Sequence, residues 1–122
     1  RTGGNLLSLL EARLDNVVYR AGLGATIWAA RQWVNHGHIL VNGEQVNLPS
    51  YHVRPGDVIT VSQKMRNNVH LAEWIESAGN APQYITVDKD KATATFIRVP
   101  EQQEIPVQVN IQLVVEYYNR LT

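Results

Sequence analysis

The dipeptide Asn42-Gly43 stands between the apolar run Ile39-Leu40-Val41 and the alternating segment Glu44-Gln45-Val46-Asn47-Leu48. A two-residue hairpin needs a positive φ at its central positions, which Asn and Gly adopt at least cost. The chain must therefore reverse there into a tight antiparallel hairpin. What precedes it is helical. Thr26 is a candidate N-cap, Ile27, Ala30 and Val34 recur at helical spacing, and Trp28 and Trp33 flank that stripe. The helix is predicted to end near His36, with Gly37 as the left-handed residue beyond it. Ala29 and Ala30 allow a close helix neighbour.

That neighbour is predicted upstream. Leu6, Leu7, Leu9, Leu10, Leu14, Val17 and Val18 keep three- and four-residue steps, giving one helix or two in close succession, with Asn5 as N-cap and Gly22 as terminator. Downstream, Pro49-Ser50 breaks the strand, Tyr51-His52-Val53 is a candidate pairing segment, and Arg54-Pro55-Gly56-Asp57 turns the chain into the buried strand Val58–Val61. Residues 68–78 suit a short helix closed by Gly79. Tyr84–Val87 and Ala92–Val99 suit a second hairpin across Asp88-Lys89-Asp90-Lys91. The tail from Ile105 is rich in β-branched residues. Asn110 can nevertheless cap, and Ile111, Val114, Val115 and Tyr118 keep helical spacing, which predicts a C-terminal helix. Short strands joined by tight turns, beside amphipathic helices, define an α+β fold with a small antiparallel sheet.

The length of 122 residues suits one compact body, and 44% apolar residues suffice for a core. With no Cys, disulfides and thiolate metal sites are excluded. No apolar run reaches the roughly 18 residues of a membrane span, and no secretory signal opens the chain, so a soluble protein of the cytosol or an organelle interior is expected. The start at Arg1-Thr2-Gly3-Gly4, without Met, suggests a trimmed chain. Net charge is zero but uneven. Residues 1–66 hold seven Lys/Arg against four Asp/Glu, a net +3, and the remainder holds four against seven, a net −3. An anionic partner would therefore meet the first half.

The exposed face of the Thr26 helix is expected to carry Arg31, Gln32, Asn35 and His36, continued by His38 and Asn42. Arg bridges phosphate oxygens with its planar fork, while Asn, Gln and His bond base edges or the 2′-hydroxyl. A shallow polar face of this kind suits folded RNA. Arg13 and Arg20, seven apart on one helical face, either clamp phosphate or pair with Asp15 or Glu11. Trp33 and Trp74 belong to helix stripes and read as core. Trp28, if exposed, marks a stacking platform or a protein contact. His36 and His38 lack a third metal ligand nearby, so RNA contact or helix-end capping is the better reading. Ser50-Tyr51-His52 is no triad, because neighbouring strand residues face opposite ways. Tyr117 and Tyr118 read as core and rim, and Asp88 and Asp90 as solvated. Nothing assembles a nucleophile, base and oxyanion site.

Arg13-Leu14-Asp15-Asn16-Val17-Val18-Tyr19-Arg20, the run Ala30–Gly43, and Pro49-Ser50-Tyr51 followed by Pro55-Gly56-Asp57-Val58-Ile59 together resemble the S-four RNA-binding motif. That motif also occurs in pseudouridine synthases, a tyrosyl-tRNA synthetase appendage and a small heat-shock protein. Three more stretches, Arg1–Leu7, Arg98-Val99-Pro100-Glu101 and Val114-Val115-Glu116-Tyr117-Tyr118, resemble the ribosomal branch of the family. The resemblance implies a helical hairpin packed on a small sheet, with a C-terminal helix returning to the body. The expected divisions are a helical segment at 1–12, the motif at 13–66, a helix plus hairpin extension at 67–104, and the final helix at 105–122. It implies a structural, non-catalytic constituent of the small ribosomal subunit that binds rRNA and acts early in assembly. Neighbouring small-subunit proteins are expected partners and messenger RNA a further one, with no cofactor, metal, membrane or small-molecule substrate. The implied RNA contacts are Arg13, Arg20, Arg31, Gln32, Asn35, His36, His38, Asn42, Tyr51 and Arg54, with Lys64 and Arg66 tracking phosphates.

The chain departs from the family in its charge. Ile27 and Trp28 stand where Arg commonly follows the capping Thr, Ser62-Gln63-Lys64 replaces an Arg-Glu-Lys pattern, and Glu44-Gln45 and His52 replace basic residues. Four lost phosphate contacts would reduce the logarithmic salt slope by roughly 3 to 4 units. A domain that keeps the fold but serves as a protein scaffold is the rival reading. It predicts an exposed apolar patch at Ile27-Trp28.

Overall fold

A computed structural model of the chain describes residues 3–105. The first helical stretch is two helices, α1 (Gly3–Glu11) and α2 (Leu14–Arg20). Because α1 already begins at Gly3, Asn5 lies inside it, not at its cap. The break falls at Arg13, whose backbone is extended. The reason lies in the segment after Pro49. Leu14 N–H donates to Tyr51 O at 2.9 Å, Val53 N–H to Ala12 O at 2.8 Å and Asp15 N–H to Pro49 O at 3.1 Å. Tyr51-His52-Val53 thus pairs with the α1–α2 junction and not with the sheet, through an isolated antiparallel bridge between Arg13 and His52.

Helix α3 (Ile27–Asn35) begins as expected, with Thr26 Oγ1 accepting from Ala29 N–H at 3.0 Å. Ile27 is buried, and Ala30 and Val34 share the core with Leu14, Val17 and Val18 of α2, which are fully enclosed. Gly37 has φ +79° and ends α3. Strand β1 (Ile39–Val41) follows, then a turn in which Asn42 has φ 53° and Gly43 φ 85°. The return strand β2 is only Glu44–Gln45, shorter than the expected alternation through Leu48.

β3 (Val58–Val61) lies along the other side of β1, with Ile39 opposite Val61 and Val41 opposite Ile59. A one-turn helix, α4 (Gln63–Arg66), comes next, capped by Ser62 Oγ accepting from Met65 N–H at 3.2 Å. It is absent from the sequence expectation, although a Ser immediately before Gln63 is itself a start signal. Helix α5 (Leu71–Ser77) precedes the second hairpin, β4 (Ile85–Asp88) and β5 (Thr93–Phe96). That hairpin joins the same sheet: β5 pairs with β3, and the antiparallel order is β2-β1-β3-β5-β4. Alternate residues of β3 and β5 are buried, which places Ile59, Val61, Ala94 and Phe96 under the helices. Tyr84 meets Phe96 edge to face, their ring centres 6.4 Å apart. Ser8 Oγ donates to Pro100 O at 2.9 Å and ties the end of the body to α1, and a 3-10 turn at Gln102–Glu104 follows. The expected C-terminal helix, with Tyr117 and Tyr118, lies outside the described residues.

Gly22 has φ +82°, and a Cβ there would stand 2.6 Å from Ala78 Cβ. Left-handed backbone costs an Ala about 1–2 kcal/mol before any clash. Gly22→Ala is therefore expected to lower stability by about 1–2 kcal/mol or more, read as a fall in the urea midpoint at unchanged m.

Candidate nucleic-acid interface

The basic residues divide into two groups according to what lies under them. Asp15, on the buried side of α2, is fully enclosed, and three N–H groups converge on its carboxylate. Arg13 donates through Nε at 3.2 Å and Nη2 at 3.1 Å, and Arg31 through Nε at 3.2 Å. Arg13 is only 4% exposed, and its Nη1 is enclosed without a hydrogen-bond partner. Glu11 is the second acidic hub. It takes a two-pronged pair from Arg20, both contacts at 3.2 Å, and the Tyr84 hydroxyl at 2.5 Å. Burial and then the hydrogen bond to Glu11 push the Tyr84 hydroxyl far above its ordinary range. Burial alone would lower the Arg20 guanidinium, but its bond to Glu11 and that carboxylate's charge outweigh burial and hold it above its usual value.

These pairs engage two of the residues expected to contact RNA, in the alternative that the sequence left open for them. Arg13 is enclosed at the α1–α2 junction. Arg20 is mostly covered and its fork is occupied by Glu11. Asn42 is exposed and engaged within the fold. Its side-chain oxygen accepts from Val58 N–H and its amide donates to Asp57 Oδ1, both at 2.9 Å, so it locks the hairpin turn to β3. Tyr51 is half-buried against the core.

The remaining expected residues fall into two places set by the sheet register. Gln32 and Asn35 are exposed on α3, and His36 is exposed at its C-cap. Past Gly37, the His38 ring nitrogen lies 3.3 Å from Ser62 Oγ, and Ser62 N–H donates to His38 O at 2.8 Å. This stitch joins the end of α3 to the start of α4, where Lys64 and Arg66 are exposed on either side of buried Met65. Gln45 reinforces the same end by donating to Gly37 O at 3.1 Å. Arg54 lies at the opposite end of β3, beside Asp57, which accepts its backbone N–H at 2.9 Å. At about 3.3 Å per residue the four-residue strand separates the two places by roughly 10 Å. Arg31 connects them to the interior, its Nε on Asp15 and its guanidinium over the Trp28 ring, 4.9 Å from the centroid.

Residues 12–59 match the S4 domain family. Over 118 residues the chain is 49% identical to the small ribosomal subunit protein uS4 of Macrococcus caseolyticus, covering 97% of this chain and 59% of that one. The chain is thus similar to uS4 proteins over nearly its whole length. It is 52% identical over 118 residues to the uS4 protein of Bacillus cytotoxicus, with the same coverage, and 49% identical over 119 residues to that of Mesoplasma florum, covering 98% of this chain and 57% of the relative. The chain thus spans less than two thirds of the length of the curated relatives it matches. Three of the S4-like departures noted in the sequence now have positions. Ile27 is 8% exposed and packs inward, Trp28 is 53% exposed, and Glu44 sits in the solvent-facing edge strand.

Sequence reasoning missed the long-range half of the Asp15 hub. Pairing of Arg13 with Asp15 is readable from adjacency, but no local pattern joins Asp15 to Arg31, sixteen residues on. It also missed Ser62, whose hydroxyl both caps α4 and holds His38. Its place directly after a predicted strand was the available signal. Among the described residues, no group of three His, Asp or Glu is placed to hold a metal ion, and no helix is long and apolar enough to cross a membrane.

Proposed function

We propose that this chain is the rRNA-binding region of a small-subunit ribosomal protein, a non-catalytic constituent that binds early in assembly. The observation that carries the reading is the His38–Ser62 contact, which joins the end of α3, with exposed Gln32, Asn35 and His36, to α4, with exposed Lys64 and Arg66, in a chain about half identical to uS4 proteins. Such a face presents amide, imidazole and cationic donors without a deep groove, which fits the shallow minor-groove and backbone surface of folded RNA. Its place of work would be the ribosome, in the bacterial cytoplasm or an organelle interior. Neighbouring small-subunit proteins and messenger RNA are further partners in this reading.

An exposed apolar patch at Ile27-Trp28, with scattered basic residues, would support the scaffold alternative. Ile27 is in the core, which leaves Trp28 isolated there. Among the described residues, Arg54, Lys64 and Arg66 are the exposed cations of the first half without an ion pair. At about 0.7–0.9 per phosphate contact, three contacts give a logarithmic salt slope of about 2 to 3. Titration of the chain with a five-prime-domain fragment of small-subunit rRNA should show that slope and resist competition by tRNA. Binding no tighter than to tRNA would sink the reading.

A further inference from the structure

We propose that Trp28 is a base-stacking platform that receives an unpaired nucleotide of the bound RNA, with Arg31 as its positioning residue. The inference rests on the RNA-binding reading above and names the part of the RNA that α3 receives.

Trp28, Arg31, Gln32 and Asn35 stand at i, i+3, i+4 and i+7, so they form one stripe along α3. The stripe is therefore the same one that carries the amide side chains assigned to RNA. At its first position is the only large apolar group of the stripe, 53% exposed, whereas the alternation of its neighbours is orderly: Ile27 and Ala30 are buried beneath it. An indole in water on this polar stripe is open to a stacking partner.

Two features select a nucleobase as its occupant. First, the ring is held. The Arg31 guanidinium lies 4.9 Å from the ring centroid, and Arg31 is itself anchored by Nε to the enclosed Asp15 carboxylate. The cation sits against one side of an electron-rich ring and fixes its orientation, so little side-chain freedom remains to be lost when a base stacks on it. Second, the surroundings are cationic and hydrogen-bonding, not apolar. The Arg31 guanidinium stands beside the ring, and Gln32 lies exposed one turn on from Trp28. A protein interface would be expected to continue the apolar surface around the indole. A flat ring beside a cation and an amide matches a base, its phosphate and its edge groups.

The test combines Trp28→Ala and Trp28→Phe with two probes, the five-prime-domain rRNA fragment and a single-stranded oligoribonucleotide of about a dozen residues. Trp28→Ala is expected to weaken rRNA binding about 5- to 30-fold with an unchanged salt slope, because no counterion release is lost. Trp28→Phe should retain most of the affinity. Binding either probe should quench tryptophan emission in the parent chain and quench it much less in Trp28→Phe. An unaltered melting temperature in both variants excludes a folding effect. If rRNA binding is tight and Trp28→Ala leaves it unchanged, the platform is overturned while the RNA-binding reading stands. If the rRNA fragment does not bind specifically but the oligonucleotide still quenches through Trp28, the platform stands and the ribosomal reading fails. Absence of both responses overturns both. Shielding of Trp28 by added small-subunit proteins, with RNA binding unchanged, assigns the ring to a protein contact and also overturns the platform.

Discussion

Replacing Asp15 with Ala should lower the unfolding free energy by about 3–5 kcal/mol, the range for removing one partner of an enclosed ion pair. The size follows from what stays behind. Arg13 would remain 4% exposed with its Nε and Nη2 left without acceptors, beside a second guanidinium from Arg31 that had shared the same carboxylate. Each unpaired buried donor costs its desolvation, and the two cations repel across a poorly screened interior. The expected readout is a urea midpoint lowered by about 2 M at an unchanged m-value, since an m of 1–3 kcal/mol/M is typical of small proteins.

The same hub permits a control that separates charge from volume. Exchanging a buried ion pair for apolar side chains of similar size is often neutral. Arg13→Met combined with Asp15→Ala should therefore recover a substantial part of the loss, and the two substitutions should be strongly non-additive. A loss below about 1 kcal/mol for Asp15→Ala alone would put the triad on a par with an exposed surface pair and refute its role in joining α2 to α3.

The elements legible in the sequence were those whose cause is local. Thr26, the Ile27-Ala30-Val34 spacing, Gly37 and Asn42-Gly43 each act within a few residues, and each element they specify is present. What the sequence could not disclose was the destination of polar groups whose partners lie far along the chain. Arg13, Arg20 and Asn42 have the chemistry of RNA ligands, yet the fold directs them to Asp15, Glu11 and Asp57. Composition understated the cause of the thinned surface charge. Two acids and three arginines of the first half are engaged with one another around α2, which leaves Arg54, Lys64 and Arg66 as its exposed cations among the described residues. Tyr51-His52-Val53 shows the same limit in the backbone: its extended character was readable, but its pairing with the α1–α2 break was a tertiary choice.

Neutralising the two outward cations of α4, Lys64→Ala with Arg66→Ala, should weaken rRNA binding about 25- to 60-fold near 0.1 M salt. Each phosphate contact contributes about 0.7–0.9 to the logarithmic salt slope, so at 0.1 M its counterion release is worth nearly a tenfold change in affinity. The slope itself should fall by about 1.4–1.8 units, in contrast to Trp28→Ala, which leaves it unchanged. Stability should hardly move, because both side chains are exposed while the elements that set α4, the Ser62 cap and buried Met65, remain. Lys64→Arg with Arg66→Lys should restore the slope, since counterion release depends on charge and not on the fork geometry of Arg. A neutralised pair with the parent slope would mean that RNA does not reach α4, and would shift the contact surface toward Arg54 and the opposite end of β3.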